Sequence, residues 1–162
     1  MNVGPATMGV SITAYSHIKF LQKEFDEDYD TDKETYLWQP SFPERSNGFL
    51  EGHYEFSSKL RIADKSYGGY NKWREQLCRI VHGFDPKYLW DHADLKEFQK
   101  LPFFELIHFS DCEGFLGPVT CSHILRDFKS NETLLRDNNL NDLDEWIIGL
   151  ELAALTGVVR FS

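Results

Sequence analysis

Cysteine is scarce in this chain, and its spacing excludes several kinds of site. Cys78, Cys112 and Cys121 are the three cysteines among 162 residues, and no two of them have CxxC spacing. A sparse, odd set of this kind indicates neither a disulfide framework nor a cysteine-based zinc site. Cys78 and Cys121 lie on the apolar faces of predicted helices, so we expect buried free thiols and a cytoplasmic protein.

Positive charge and long apolar runs are also in short supply. Lys and Arg number 17 against 26 Asp and Glu, so the net charge is −9. Binding to a nucleic-acid polymer or to an anionic membrane needs clustered cations, and we therefore expect neither as a partner. No apolar run approaches the roughly 20 residues that span a bilayer, and the opening sequence MNVGPATMGV lacks the basic and apolar regions of a signal peptide.

Apolar periodicity, by contrast, is present and predicts an α+β fold. Alternating patterns and short apolar runs predict strands within 9–22 and 49–63, a central strand at 103–109 and a short terminal strand at 158–161. Helical spacing predicts helices from about Tyr70 to His82, from Pro118 to about Phe128, and from about Asp142 to Leu155. Ser66 or Asn71 is placed to cap the first of them. We expect one domain over residues 1–162, in which a small mixed or antiparallel sheet packs against about three helices.

Two segments have no such pattern. Residues 1–8 are expected to be disordered, and residues 24–48 are expected to form an acidic, proline-containing loop region. The alternating acids from Asp26 onward resemble the opening of a calcium-binding loop. Neither the register that starts at Asp26 nor the one that starts at Asp28 has the Gly at position six and the Glu at position twelve of an EF-hand. We therefore interpret the run as a solvated loop.

The segment SYGGYNKWR, residues 66–74, combines a glycine pair with aromatic and basic side chains. A glycine pair directly before a helix can turn backbone N–H groups toward an anion, while Tyr67, Tyr70 and Trp73 can stack on a planar group. Arg74 can bind a phosphate or a carboxylate. No Walker or Rossmann glycine pattern is present. The alternative is a plain turn and helix cap, with Trp73 in the core and Arg74 in solvent.

The segment HFSDCEGFLGP, residues 108–118, places His108, Asp111 and Glu113 within six positions. Together these side chains can form an acid–base or hard-metal cluster at the end of the predicted central strand. In a strand, Glu105 and His108 would point to opposite faces. The zinc signature HExxH is absent. The alternative is simple loop closure, with the two acids placed before the N-terminus of the next helix.

These two segments resemble a family of small uncharacterised proteins from bacteria and their phages. That family carries a Gly-Ser-Tyr-Ser-Gly-Tyr-Asn-x-Trp-Arg segment and an F-x-E-L-I-x-F-[SA]-D-x-E-G-x-[IL]-G-P segment, which are similar to SYGGYNKWR and FFELIHFSDCEGFLGP. The stretches MGVSITAY and WIIGLELAALTGVVRF are similar to it as well, so the resemblance covers most of the chain. One departure is KSYGG at residues 65–69, where the family has Gly before Ser and Ser between Tyr and Gly. The resemblance implies a single cytosolic domain and one set of site residues: Ser66, Tyr67, Gly69, Tyr70, Trp73, Arg74, Glu105, Asp111, Glu113 and Gly114.

Three hypotheses of function follow. The first is a non-enzymatic binding module with no cofactor and no metal. The two walls of its binding site would be the SYGGY segment, residues 66–70, and the DCEG loop, residues 111–114. It would hold a small polar, nucleotide-like ligand or a host protein, as a counter-defence or regulatory module, and it is compatible with a homo-oligomer. Its ligand-binding residues would be Ser66, Tyr67, Gly69, Tyr70, Trp73, Arg74, Asp111 and Glu113. The alternative is a metal-assisted hydrolase that uses His108, Asp111 and Glu113. The third is an interaction protein whose acidic face docks on a basic partner.

Overall fold

The computed structural model describes residues 9–25, 31–38, 42–109 and 114–162. The strands in these ranges are β1 (Gly9–Ser16), β2 (Lys19–Gln22), β3 (Glu34–Leu37), β4 (Gly52–Glu55), β5 (Ser58–Ser66), β6 (Gly114–Leu116) and β7 (Val158–Phe161). The helices are α1 (Tyr67–His82), α2 (Pro86–Asp91), α3 (Lys96–Gln99), α4 (Phe104–Ile107), α5 (Pro118–Ser130), α6 (Glu132–Asp137) and α7 (Leu143–Ala153), with a 3-10 turn at Pro43–Arg45. The α+β class is confirmed, and the strands form two antiparallel sheets where one was expected.

Two neighbouring strands continue from one sheet into the other. The first sheet has the order β5-β1-β7-β6, and the second has the order β2-β4-β3. β5 pairs with β1 along the full length of β1, and their continuations β4 and β2 pair in the second sheet. Between β1 and β2 the chain bends at His17, whose φ is 49°. The His17 amide donates to the Leu155 carbonyl at 2.8 Å, so the bend keeps its backbone donor paired.

The helices lie against the four-stranded sheet. α7 packs on β1 and β5 and also contacts α5, while α1 packs against α6 and β5. A Cβ added to Gly149 of α7 would lie 2.5 Å from Ile62 of β5 and 3.4 Å from Ala14 of β1. Glycine at this position therefore lets the helix approach the sheet more closely than any other residue would.

The segment FFELIHF, expected to be the central strand, contains the short helix α4 instead. α4 covers Phe104–Ile107 and follows Phe103, whose φ is 65°. The partly exposed positions of the segment are Glu105 and His108, and its other residues are buried. Positions three apart share one side of a helix, whereas the apolar run is too short and too uniform for its period to separate helix from strand. Glu105 and His108 therefore lie on the same side, which corrects the opposite faces expected from a strand.

Other boundaries also differ from the sequence expectations. Residues 34–37, inside the expected loop over 24–48, form β3, because they pair with β4 through contacts that the local sequence does not encode. α1 begins at Tyr67, directly after β5, so the glycine pair lies inside the helix and not before it. The short helices α2, α3, α4 and α6 add to the three that were predicted. Residues 1–8 lie outside the described residues.

Candidate functional site

Ser66 closes the start of α1. Its side-chain oxygen accepts a hydrogen bond from the Gly69 amide at 3.0 Å, which is N-cap geometry. Gly68 and Gly69 occupy the first turn of the helix, and the Gly69 amide is engaged by the cap. The start of α1 thus gives Ser66 and the glycine pair a structural role that involves no ligand.

The aromatic residues of α1 pack in the core. Tyr70 is fully buried and stacks on Trp73, with ring centres 6.0 Å apart. Trp73 in turn stacks on Trp146 at 5.0 Å, and its indole nitrogen donates to the Asn141 carbonyl at 2.7 Å. Tyr67 is half-buried against the same core. Tyr70 and Trp73 therefore serve packing, and we do not place a ligand on them.

Arg74 is buried, which corrects the solvent position considered for it above. The residue is 5% exposed. Its Nη1 donates to the Phe109 carbonyl at 2.7 Å, and its Nη2 donates to the Asn71 side-chain oxygen at 2.6 Å. The guanidinium carbon lies 5.3 Å from the ring centre of Tyr70 and 5.2 Å from that of Trp90. A buried guanidinium is tolerated because such contacts replace its hydration.

The loop segment 110–113, which contains Asp111 and Glu113, lies outside the described residues. Its flanks are described: Phe109 precedes it, and β6 begins directly after it. Among the predicted site residues, Arg74 is therefore brought to the start of this loop segment through its bond to the Phe109 carbonyl.

Residues 103–109, which contain α4 and which we call the α4 segment, have three carbonyl groups bound by side chains from three separate elements. The acceptors are the carbonyls of Glu105, Ile107 and Phe109, and the respective donors are Arg45 at 3.0 Å, Trp90 at 3.0 Å and Arg74 at 2.7 Å. The last carbonyls of a helix have no partner within it. The side-chain donors from the other elements provide hydrogen-bond partners for these carbonyls and so position the segment that leads into the loop.

A groove of about 520 Å³ lies between α1 and α2, and we call it the α1–α2 groove. Its lining residues are Asn71, Arg74, Glu75, Arg79, Asp85, Pro86, Lys87 and Trp90. Trp90 is 43% exposed, and its indole nitrogen is anchored to the Ile107 carbonyl. A large ring that is held in place and partly open to solvent is a stacking surface.

The lining of the α1–α2 groove carries three cations against two anions, on a chain whose net charge is −9. Arg79 contacts Glu75 at 3.3 Å and also pairs with Asp85, while Lys87 lies 2.9 Å from Asp91. Sequence reasoning missed Arg79, Lys87 and Trp90, because only the packing of α2 against α1 brings them next to Arg74. The sequence feature that could have pointed to Trp90 is the apolar triplet at 88–90, which stands within a polar stretch.

A second cleft, of about 440 Å³, lies beside α4 and α5, and we call it the α4 cleft. Its lining residues are Phe42, Glu44, Arg45, Ala93, Gln99, Phe104, Glu105, His108 and His123. Arg45 is 7% exposed, and its Nη2 lies 3.0 Å from Nδ1 of His108. Because a guanidinium can only donate, Nδ1 of His108 accepts, and the ring carries its proton on Nε2. Burial and, after it, the charge of Arg45 lower the pKa of His108, which favours this neutral ring.

Glu105 lies beside His123 in the α4 cleft. Its Oε2 contacts Nδ1 of His123 at 3.7 Å. Burial raises the pKa of Glu105, and the nearby His123 and Arg45 partly oppose this effect. The α4 cleft thus holds a carboxyl acceptor and the His108 N–H donor within one helical turn.

The described cysteines are buried free thiols, as expected. Burial raises the pKa of Cys78 to about 12, and it also raises the pKa of Cys121. Such thiols are poor nucleophiles, because the thiolate is the reactive form. Within the described ranges, no group of three or more His, Cys, Asp or Glu side chains is arranged to hold a metal ion. The hydrolase that uses His108 with Asp111 and Glu113 stays a prediction, since the two acids lie outside those ranges.

In the part of the chain that the structure describes, no helix combines the length and apolar character needed to cross a membrane. Comparison of the chain with protein-family models, with curated proteins and with solved structures found no match. The resemblance to small bacterial and phage proteins therefore stays a prediction.

Proposed function

We propose that the protein is a binding module for a small, ring-bearing anion, such as a nucleotide, and that this ligand occupies the α1–α2 groove. The observation that carries the proposal is the partly exposed, anchored ring of Trp90 beside the cations Arg74, Arg79 and Lys87. A planar ring stacks on tryptophan, and phosphate oxygens accept hydrogen bonds from cationic side chains. The groove, of about 520 Å³, is in the size range of small-molecule sites.

The three cations have different tasks in this proposal. Arg74 already donates to Phe109 and Asn71, so it supports the wall of the groove and contributes positive charge. Arg79 and Lys87 have side chains that are half or more exposed and paired with carboxylates. Exposed ion pairs contribute about 0–1 kcal/mol, so a phosphate can replace them at little cost. Arg79 and Lys87 are therefore the cations that contact the ligand.

The composition of the α1–α2 groove favours binding over catalysis. Among the residues that the structure describes, its lining includes no serine, cysteine or histidine, the side chains most often used as nucleophile or general base. The groove therefore supports a non-enzymatic module.

Titration with AMP, ADP and ATP, followed by tryptophan fluorescence and by the melting temperature, tests the proposal. Trp90→Leu removes the stacking surface, and the double variant with Arg79→Ala and Lys87→Ala removes two charge-assisted contacts; each is expected to weaken binding by about tenfold or more. Lys129→Ala is the matched control, because Lys129 is an exposed lysine that pairs with Glu151 at 3.5 Å and does not line the groove. If no nucleotide at millimolar concentration changes either signal, or if the groove variants bind like Lys129→Ala, the proposal is wrong.

A further inference from the structure

We propose that the α4 cleft is a second binding site, which takes a small, uncharged, planar ligand carrying a carbonyl acceptor next to an N–H donor, as in the edge of a nucleobase or a cyclic amide. The proposal depends on the one-turn spacing of His108 and Glu105 along α4, which presents one donor and one acceptor to the same cleft.

His108 supplies the donor. Its Nδ1 is occupied by Arg45 at 3.0 Å, so Nε2 carries the proton and can donate to a ligand carbonyl. The ring is also held in place, because it stacks on Phe104 with centres 5.0 Å apart and lies 5.2 Å from Phe42. A donor that is already fixed loses little conformational freedom when a ligand binds.

Glu105 supplies the acceptor. Its carboxyl group lines the cleft, and its Oε2 contacts Nδ1 of His123 at 3.7 Å, a contact that uses only part of the acceptor capacity of a carboxyl group. A carboxyl oxygen in this position can accept from a ligand N–H group. Arg45 donates to the backbone carbonyl of Glu105 and to Nδ1 of His108. The two residues that provide the acceptor and the donor are therefore both bound by the same buried guanidinium.

The charges of the cleft favour an uncharged ligand. Arg45 has one Nη on the Glu105 carbonyl and the other on His108, and the carboxyl groups of Glu44 and Glu105 also line the cleft. An anion would meet these two acids, and a cation would meet Arg45, so either charge is opposed. This distinguishes the α4 cleft from the α1–α2 groove, whose exposed cations suit an anion.

A pair of matched probes tests the donor–acceptor pattern. Uracil has a carbonyl beside an N–H group, whereas 1,3-dimethyluracil keeps the ring and carbonyls but has no N–H donor. Binding is measured by calorimetry and ligand-observed NMR. We expect the dimethyl compound to bind about tenfold more weakly, which corresponds to the loss of one hydrogen bond.

Substitutions then assign the two partners. His108→Phe removes the donor while keeping a ring, and Glu105→Leu removes the acceptor. Each is expected to weaken uracil binding about tenfold. His108→Gln, whose amide can occupy the place of Nε2, is expected to restore binding to within a few-fold of the wild type. Glu151→Leu is the control, because Glu151 is an exposed acid of α7 that pairs with Lys129.

The inference is overturned if uracil does not bind at millimolar concentration, or if uracil and its dimethyl derivative bind equally. It is also overturned if His108→Phe and Glu105→Leu, folded by their melting curves, bind uracil like Glu151→Leu. The double variant with Arg79→Ala and Lys87→Ala removes no donor to the α4 segment and is expected to leave uracil binding unchanged, so failure of this site and failure of the nucleotide groove are separate results.

Discussion

Replacement of Arg74 by methionine tests how far the packing of α1 onto the α4 segment depends on one buried guanidinium. Methionine keeps much of the side-chain volume but removes the donors to Phe109 and Asn71. A buried hydrogen bond from a charged group contributes about 1.5–3 kcal/mol, and a neutral or partly exposed one about 1 kcal/mol. The guanidinium near the rings of Tyr70 and Trp90 adds about 1 kcal/mol, which apolar contacts of methionine partly replace. We therefore expect the free energy of unfolding to fall by about 3 kcal/mol.

The loss is measured by urea unfolding and by the melting temperature. For a chain of this length, about 3 kcal/mol lowers the melting temperature by roughly 6–12 °C. Arg74→Lys keeps the charge but loses the two-pronged geometry, so its loss is expected to be intermediate. Arg136→Met is the control, since Arg136 is an exposed arginine paired with Glu132 and Asp144. If Arg74→Met melts no lower than Arg136→Met, the structural role assigned to Arg74 is refuted.

The remaining predictions concern packing, pH and thiol reactivity. Gly149→Val is expected to cost about 1–3 kcal/mol in urea unfolding, because its side chain would overlap Ile62; an unchanged midpoint would contradict this packing. Glu105→Gln is expected to raise the melting temperature at neutral pH. The pKa of Glu105 is higher in the fold than in the unfolded chain, so its charged form destabilises the fold. The gain in melting temperature should therefore shrink as the pH falls through the raised pKa, and a gain that grows toward acid pH would contradict this prediction. Cys78 and Cys121 are expected to react with a thiol reagent only upon unfolding, as read by mass spectrometry, and prompt labelling of either in the native protein would refute their burial.

The elements that matched the sequence expectations are those with a local cause. The terminal strand was expected at 158–161, and β7 covers Val158–Phe161. α5 begins at Pro118, as expected from proline at the first helical position. Ser66 was one of two expected caps for α1, and it makes the cap bond. Capping and periodicity act over a few residues, so a single sequence contains them.

The members of the two candidate sites come from separate elements, which no local sequence pattern brings together. Tyr70 and Trp73 have the chemistry of a stacking platform, but their position on the inner face of α1 assigns them to the core. Trp90 has the same chemistry on α2, and it stays partly exposed in the α1–α2 groove. Residue type alone does not separate these two outcomes, since burial depends on which element packs over the ring.

By itself, the sequence determined the α+β class, the inner faces of α1, α5 and α7, and the buried state of Cys78 and Cys121. These follow from the spacing of apolar residues along the chain, which specifies which side of an element leaves water. The tertiary structure alone decided that FFELIHF contains a helix and no strand, that Arg74 is buried, and that Glu105 and His108 share one cleft. The α4 segment is stabilised by donors from Arg45, Arg74 and Trp90, which lie 17 to 60 residues away along the chain. Such contacts exist only once distant elements pack together, and so no local pattern encodes them.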